Sequence, residues 1–211
     1  MSPVQGKYDF LWEMYDGIET NKTCVEYTDA RKLTASELQK LATSMIDCSE
    51  KEDKPEYWIM HSPSTLGRNL GRYDIFEDNY GNYSFWVNQV VASESDMNEC
   101  LEFFNKDIVE PLETAKYLLL VTDKLLVMPK IKITQSEWGE FGYVLSHVDV
   151  YDINTTKMVD SFDVAARNSD ELFFFTETIN EESCKIEAID NLYKRLKNNI
   201  ITSMEVVERS L

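Results

Sequence analysis

Basic residues and histidines are what this sequence is short of. Its 21 Lys and Arg stand against 38 Asp and Glu, leaving a net charge of −17, and only two of its 211 residues are His. A surface of that sign repels phosphate backbones, which excludes nucleic acid as a partner, and it suits anionic lipid headgroups poorly. Solubility is the first thing such a charge supplies. Long hydrophobic runs are missing as well. The longest unbroken apolar stretch, Tyr117 to Val121, is far below the roughly 20 residues that a membrane-spanning helix needs, so no transmembrane segment is expected. The four cysteines, Cys24, Cys48, Cys100 and Cys184, include no Cys-x-x-Cys pair, which argues against a zinc site or a thioredoxin-like redox centre. No metal or other cofactor is expected. A Cys24–Cys48 disulfide is one option, Cys100 on a helical apolar stripe reads as a buried thiol, and the spacing does not choose among the pairings.

Glycine is sparse too, with seven in the chain, and three of these, Gly67, Gly71 and Gly81, fall within residues 62–83. That turn-rich loop is a place where function often sits. Its "GRNLGR" lacks the Lys-Ser/Thr of a P-loop and the Rossmann spacing. Arg68 and Arg72 are retained as candidates for holding a phosphate or carboxylate, with a structural turn as the plainer reading. The acidic "DIFEDNYGN" that follows does not have EF-hand spacing.

What is present is the composition of a packed globular protein, 43% hydrophobic and 12% aromatic. The length suits a single domain that buries about 70% of its unfolded surface. Residues 1–32 show no sustained period, yet Tyr8, Phe10, Leu11 and Trp12 are too apolar for a free tail, so an irregular segment packed on the body is expected. Thr34-x-x-Glu37 is a capping box flanked by a Leu33/Leu38 staple, and with Leu41 and Met45 in helical spacing it predicts a helix over 35–47. "YWIMH" reads as a short strand and "YSFWVNQVVAS" as an alternating one. A second helix is expected at 95–112 on the stripe Met97, Cys100, Leu101, Phe104 and Ile108.

"KYLLLVTDKLLVMPKIKI" starts apolar on both faces, as a central strand covered on both sides should. A hairpin follows, "ELFFFTET" is a further short strand or its continuation, and a helix capped by Ser183 carries Ile186, Ile189, Tyr193, Leu196 and Ile200. Lys194, Arg195 and Lys197 are assigned to the end of that helix, where cations suit the dipole. The fold class is therefore α+β, or mixed α/β: a single domain over residues 1–211, built as one mixed sheet with helices packed on it, closing with an antiparallel hairpin and a C-terminal helix.

The hairpin, "YVLSHVDVYDINTTKMVDSFDVAA", is the stretch closest to chemistry. A three-residue loop at Asn154–Thr156 pairs Ile153 with Lys157 and sets His147 opposite Asp163 and Asp149 opposite Ser161. Val144, Val148, Val150, Met158, Phe162 and Val164 then share the inward face. His147, Asp149, Ser161 and Asp163 lie on the other face and are the candidate site. A triad needs a hydroxyl on the imidazole and donors for an oxyanion, whereas Ser161 is only diagonal to His147, about 7 Å away by sheet geometry. An outward His–Asp pair that stabilises the sheet is the favoured reading. A hydrolase using His147 with Asp149 or Asp163 is the alternative, and a metal site would need His61 and His147 brought together by folding. Trp138 and Phe141, beside Gly139 and Gly142, are candidate partner anchors.

The C-terminal half, "AKYLLLVTDKLL…GYVLSHVDVYDINTTKMVDSFDVAARNSDE…CKIEAIDNLYKRLKNNI", resembles bacterial cell-envelope lipoprotein-like domains. More distantly it is similar to the α/β domain of penicillin-binding-protein activator lipoproteins, the curli secretion lipoprotein and the N-terminal domain of TolB. The likeness covers residues 115–200, and Asp152, Thr155 and Lys157 match the family's turn between two strands, with Thr156 where glycine is usual. The resemblance implies a periplasmic or outer-membrane-associated protein, lipid-anchored at a cysteine upstream, that binds or stabilises a protein partner without catalysis. No functional residues carry over from it. A cytoplasmic interaction protein is the further alternative.

Overall fold

A computed structural model describes residues 6–7, 10, 13–14, 27–28, 33–46, 51–52, 54, 56–61, 113–131, 140–170 and 181–211, with only the backbone of 27–28, 60–61 and 181–182. One mixed sheet organises them. Its strands are β1 (Tyr27–Thr28), β2 (Tyr57–His61), β3 (Tyr117–Val127), β4 (Tyr143–Asp152) and β5 (Lys157–Arg167), with helices α1 (Ala35–Ser44) and α2 (Glu181–Glu208). β3, β4 and β5 lie side by side, antiparallel in succession. β2 and β1 both run parallel to β3 along its other edge, β2 at Tyr117–Val121 and β1 at Leu126–Val127. β3 is thus the central strand that its two-sided apolar pattern predicts. The α+β class and the mixed sheet stand as expected. β1 is a correction: Tyr27–Thr28, read as part of an irregular segment, joins the sheet edge.

α2 covers one face of the sheet. Cys184, Ala188, Ile189, Leu192, Tyr193, Leu196, Ile200 and Met204 recur at helical spacing and are buried, facing Leu119, Val121, Leu126, Val144, Val148, Val150 and Val164. The helix is longer than the sequence suggests. It begins at Glu181, so Ser183 lies inside its first turn, and it runs on to Glu208. Lys194, Arg195 and Lys197 therefore sit mid-helix, and its last turn holds no basic residue.

α1 covers part of the opposite face, where Leu41, Leu125, Val127, Leu145 and Ala165 pack with Leu33, Met45 and Tyr143. Its start is the expected capping box: the Glu37 amide donates to Thr34 Oγ1 at 3.2 Å and the Thr34 amide to Glu37 Oε2 at 2.7 Å. The Thr34 amide first, and then the Thr34 hydroxyl, which donates to the same Oε2 at 2.8 Å, hold the Glu37 carboxyl below its usual value. Leu38, the staple partner, is instead half-exposed.

Two irregularities set which side chains face which layer. In β3, Lys124 is bulged between Asp123 and Leu125, so Asp123 keeps the α2-facing parity of Leu119 and Val121 while Leu125 turns to α1 and Leu126 to α2. In the hairpin, Asp152 pairs with Lys157 and Tyr151 with Met158, and the register then shifts at Val159 to give Val150↔Asp160. The loop is therefore Ile153–Thr156, four residues, and not the three expected. Ile153 is drawn off the ladder because its side chain is buried and its amide donates to the Lys116 carbonyl at 3.0 Å. The bulge at Val159 absorbs the extra residue, so all pairs from Val150 toward Tyr143 fall where the three-residue loop would place them.

Met158 does not. Opposite Tyr151 it shares the outer face and is 57% exposed, which corrects its assignment to the core. Thr156 adopts the left-handed conformation, with φ 56°, a conformation that usually calls for glycine. The turn is held by Asp152 Oδ1, which accepts from the Asn154 and Thr155 amides at 2.9 and 2.8 Å. Replacing Thr156 with glycine is expected to raise stability by about 0.5–1 kcal/mol in denaturant unfolding, because a β-branched residue is strained at that φ.

Candidate functional site

The outer face of β3–β4–β5 has three zones. At one end α1 seals Leu125, Leu145 and Ala165. At the other, the Phe10 ring meets Tyr151, centroids 6.0 Å apart and tilted at 57°, near buried Trp58 and Leu118. Between them lies a row of polar side chains from all three strands: Lys124, His147, Asp149 and Asp163.

The register alone brings His147 and Asp163 together, since they are paired residues, and Lys124, which follows Leu118, Leu120 and Thr122 onto the outer face of β3, adds a cation. His147 Nδ1 is 2.7 Å from Asp163 Oδ1, and Lys124 Nζ donates to the same oxygen at 2.8 Å. On the other side of the ring, His147 Nε2 is 3.2 Å from Asp149 Oδ1. The four side chains are between about a quarter and a half exposed, His147 at 31% and Asp163 at 41%. Burial pushes the Asp163 carboxyl up, but the hydrogen bonds and charges of Lys124 and His147 outweigh it and hold it below the usual carboxylate value. The Tyr151 phenol is pushed up, by burial first and then by the charge of Asp149.

This geometry gives the imidazole a structural task. A general base keeps one nitrogen for the hydroxyl it activates, and here both face carboxylate oxygens. Ser161 pairs with Asp149 across the strands and stands on neither nitrogen. The carboxylates flank opposite sides of one ring, so the three groups do not converge on a point where an ion could sit. Among the described residues no set of three His, Cys, Asp or Glu side chains is arranged to hold a metal. His61 and His147 are on β2 and β4, with β3 between them, which separates their backbones by about two strand spacings, roughly 10 Å.

The sequence reading located His147, Asp149, Ser161 and Asp163 on one face, and the structure brings three of them into contact. Lys124 is the residue that pattern does not show, because its place beside His147 and Asp163 depends on the register of β3 against β4, which neither strand's alternation fixes. Arg68, Arg72, Trp138, Cys24, Cys48, Cys100, the strand at 83–93 and the helix at 95–112 lie outside the described residues. Phe141 is half-buried and carries the Arg167 guanidinium over its ring at 5.1 Å. Cys184 is a buried free thiol. No helix among the described residues is long and apolar enough to cross a membrane. Compared with protein-family models, curated proteins and solved structures, the chain matches none of them.

The Asp163 carboxylate should report this network in solution. Its folded value is depressed, so its stabilising contribution is complete above the unfolded carboxylate value and disappears as pH falls through the lower folded one. Carbon-detected NMR titration is expected to place its midpoint below that of an ordinary aspartate, and Lys124→Met or His147→Gln to move it up. Both pairs are partly solvated, so either substitution is expected to change global stability by less than about 1 kcal/mol.

Proposed function

We propose that this chain is a non-catalytic domain that binds or stabilises a protein partner, with the outer face of the β4–β5 hairpin as the contacting surface. The observation that carries this reading is the pairing of both His147 ring nitrogens with carboxylates, which commits the one chemically conspicuous side chain of that face to holding the sheet together. The exposed Met158 and Val159 beside this row are the apolar contribution that a contact surface requires. Assignment to the cell envelope, with a lipid anchor upstream, rests on the resemblance of residues 115–200 and is proposed on that basis alone. The hydrolase alternative has in its favour the 2.7 Å contact between His147 and Asp163; against it, the second nitrogen meets Asp149 and not a hydroxyl.

A photo-crosslinking residue at Met158, compared in the native host with one at Lys185 on α2, tests the proposal. A discrete adduct from position 158, absent from 185 and lost when Val159→Glu is added, is the expected result. Equal adducts from both positions, or none, would overturn it. Ester or phosphodiester turnover by the purified chain that disappears in His147→Gln would transfer the assignment to the hydrolase reading.

A further inference from the structure

The last turn of α2 carries its charge at the wrong end. Glu205 and Glu208 sit where the helix dipole is negative, an arrangement that destabilises the turn unless cations compensate it. The compensation comes from distant parts of the chain. Lys51 Nζ is 3.1 Å and Lys54 Nζ 3.5 Å from the Glu205 carboxylate. Lys116, at the entry to β3, is 3.3 Å from Glu208, and the Tyr57 hydroxyl, at the start of β2, donates to the same carboxylate at 2.7 Å. The Lys51 amide also donates to Asn198 Oδ1 at 3.3 Å. β2 itself is five residues long, and among the described residues it pairs with β3 alone.

We propose that Glu205 and Glu208 form an ionic latch that holds the lead into β2 against the end of α2, and that this lead, β2 and the last turn of α2 open together as one local unit before the rest of the sheet. The coupling is reciprocal. Without Lys51, Lys54 and Lys116 the helix end loses the cations that face its two carboxylates, and without the carboxylates a five-residue strand loses the contacts that tie its start down. Opening bares the backbone edge of β3 over Tyr117–Val121.

The charges facing the latch are Lys51 and Lys54 from the lead, Glu56 and Tyr57 at the start of β2, Lys116 before β3, and Glu205 and Glu208 on α2. Hydrogen bonds lower both helix glutamates, from Lys51 to Glu205 and from Tyr57 to Glu208. Burial, followed by the bond to Glu208, raises the Tyr57 phenol well above its usual range. The latch is therefore fully charged above the ordinary glutamate value and releases as pH falls through the depressed folded values. It is also weakened by salt, since its ion pairs are partly exposed.

Hydrogen exchange followed by mass spectrometry on the whole chain tests this. In Glu205→Gln/Glu208→Gln, amides of Tyr57–His61 and of the last turn of α2 are expected to exchange about tenfold faster than in the wild type, with Val144–Val150 and Val164–Ala166 unchanged. High salt should reproduce that acceleration in the wild type and add nothing in the variant. Lys51→Met/Lys54→Met attacks the latch from the other side and should give the same regional pattern. Unchanged exchange in both variants, or acceleration of β2 only in step with β4 and β5, would falsify the proposal.

Discussion

Replacing Asn168 with alanine is expected to lower the unfolding free energy by about 3 kcal/mol, one of the largest single-residue effects in the molecule. Asn168 follows β5 and is fully buried. Its Oδ1 accepts from the Gly142 amide at 2.8 Å, and its own amide donates to the Gly142 carbonyl at 3.2 Å. Its Nδ2 donates to the Ala188 carbonyl on α2 and, at 3.3 Å, to Asn191 Oδ1. One side chain thereby joins the entry to β4, the exit from β5 and the helix that covers both. Alanine would leave the buried Gly142 amide without its acceptor and open space between sheet and helix, and an unsatisfied buried group costs about 1–3 kcal/mol on its own. Gly142 is the complementary constraint. A Cβ there would lie 2.8 Å from Pro129 Cδ, 2.9 Å from Asn168 Oδ1 and 3.0 Å from the Val127 carbonyl, so Gly142→Ala is expected to destabilise by about 1–3 kcal/mol through overpacking. Urea unfolding of the two variants checks both values. A loss below about 1 kcal/mol in Asn168→Ala would show that the junction is not held through this amide.

How far the sequence discloses this architecture depends on whether periodicity or a single residue is in control. The β4–β5 pairing was legible because alternating valines admit one inward register; His147 opposite Asp163 followed from it. The central position of β3 was legible from apolarity on both faces. What alternation cannot show is a bulge, since the extra residue at Lys124 or Val159 changes parity without changing composition. That is why Met158 reads as core, whereas Lys124 is hidden because the register of β3 against β4 is not set by either strand alone. Likewise, Lys194, Arg195 and Lys197 read as lying near the C-terminal end of α2 because they resemble a C-terminal charge pattern, whereas the helix runs on to Glu208. The true end is stabilised by lysines some 90 to 150 residues earlier in sequence, which no local rule can see. The buried Asn168 gave no signal either, as an isolated asparagine after a strand reads as a turn.

The second large effect is expected at Asp123, a carboxylate only 4% exposed in the middle of the central strand. It alternates with Leu119 and Val121 onto the face covered by α2, where Asp123 Oδ1 accepts from Ser146 Oγ and Oδ2 from the Tyr193 hydroxyl, each at 2.7 Å. A carboxylate is tolerated in this central strand because each of its oxygens meets a hydroxyl donor. Asp123→Ala strands the Ser146 and Tyr193 hydroxyls in an apolar interior and leaves a cavity, so a loss of about 3–4 kcal/mol is expected. Tyr193→Phe and Ser146→Ala each remove one donor from a buried carboxylate and should lose about 1–3 kcal/mol apiece. These losses should not add. With Asp123→Leu, Ser146→Ala and Tyr193→Phe combined, no polar atom of the three side chains remains to be satisfied, and the triple variant is expected to be more stable than Asp123→Ala alone. Chemical denaturation of the set separates the two accounts. If the triple variant loses the sum of its single losses, the three groups act independently, and the carboxylate is not matched to its pair of hydroxyls.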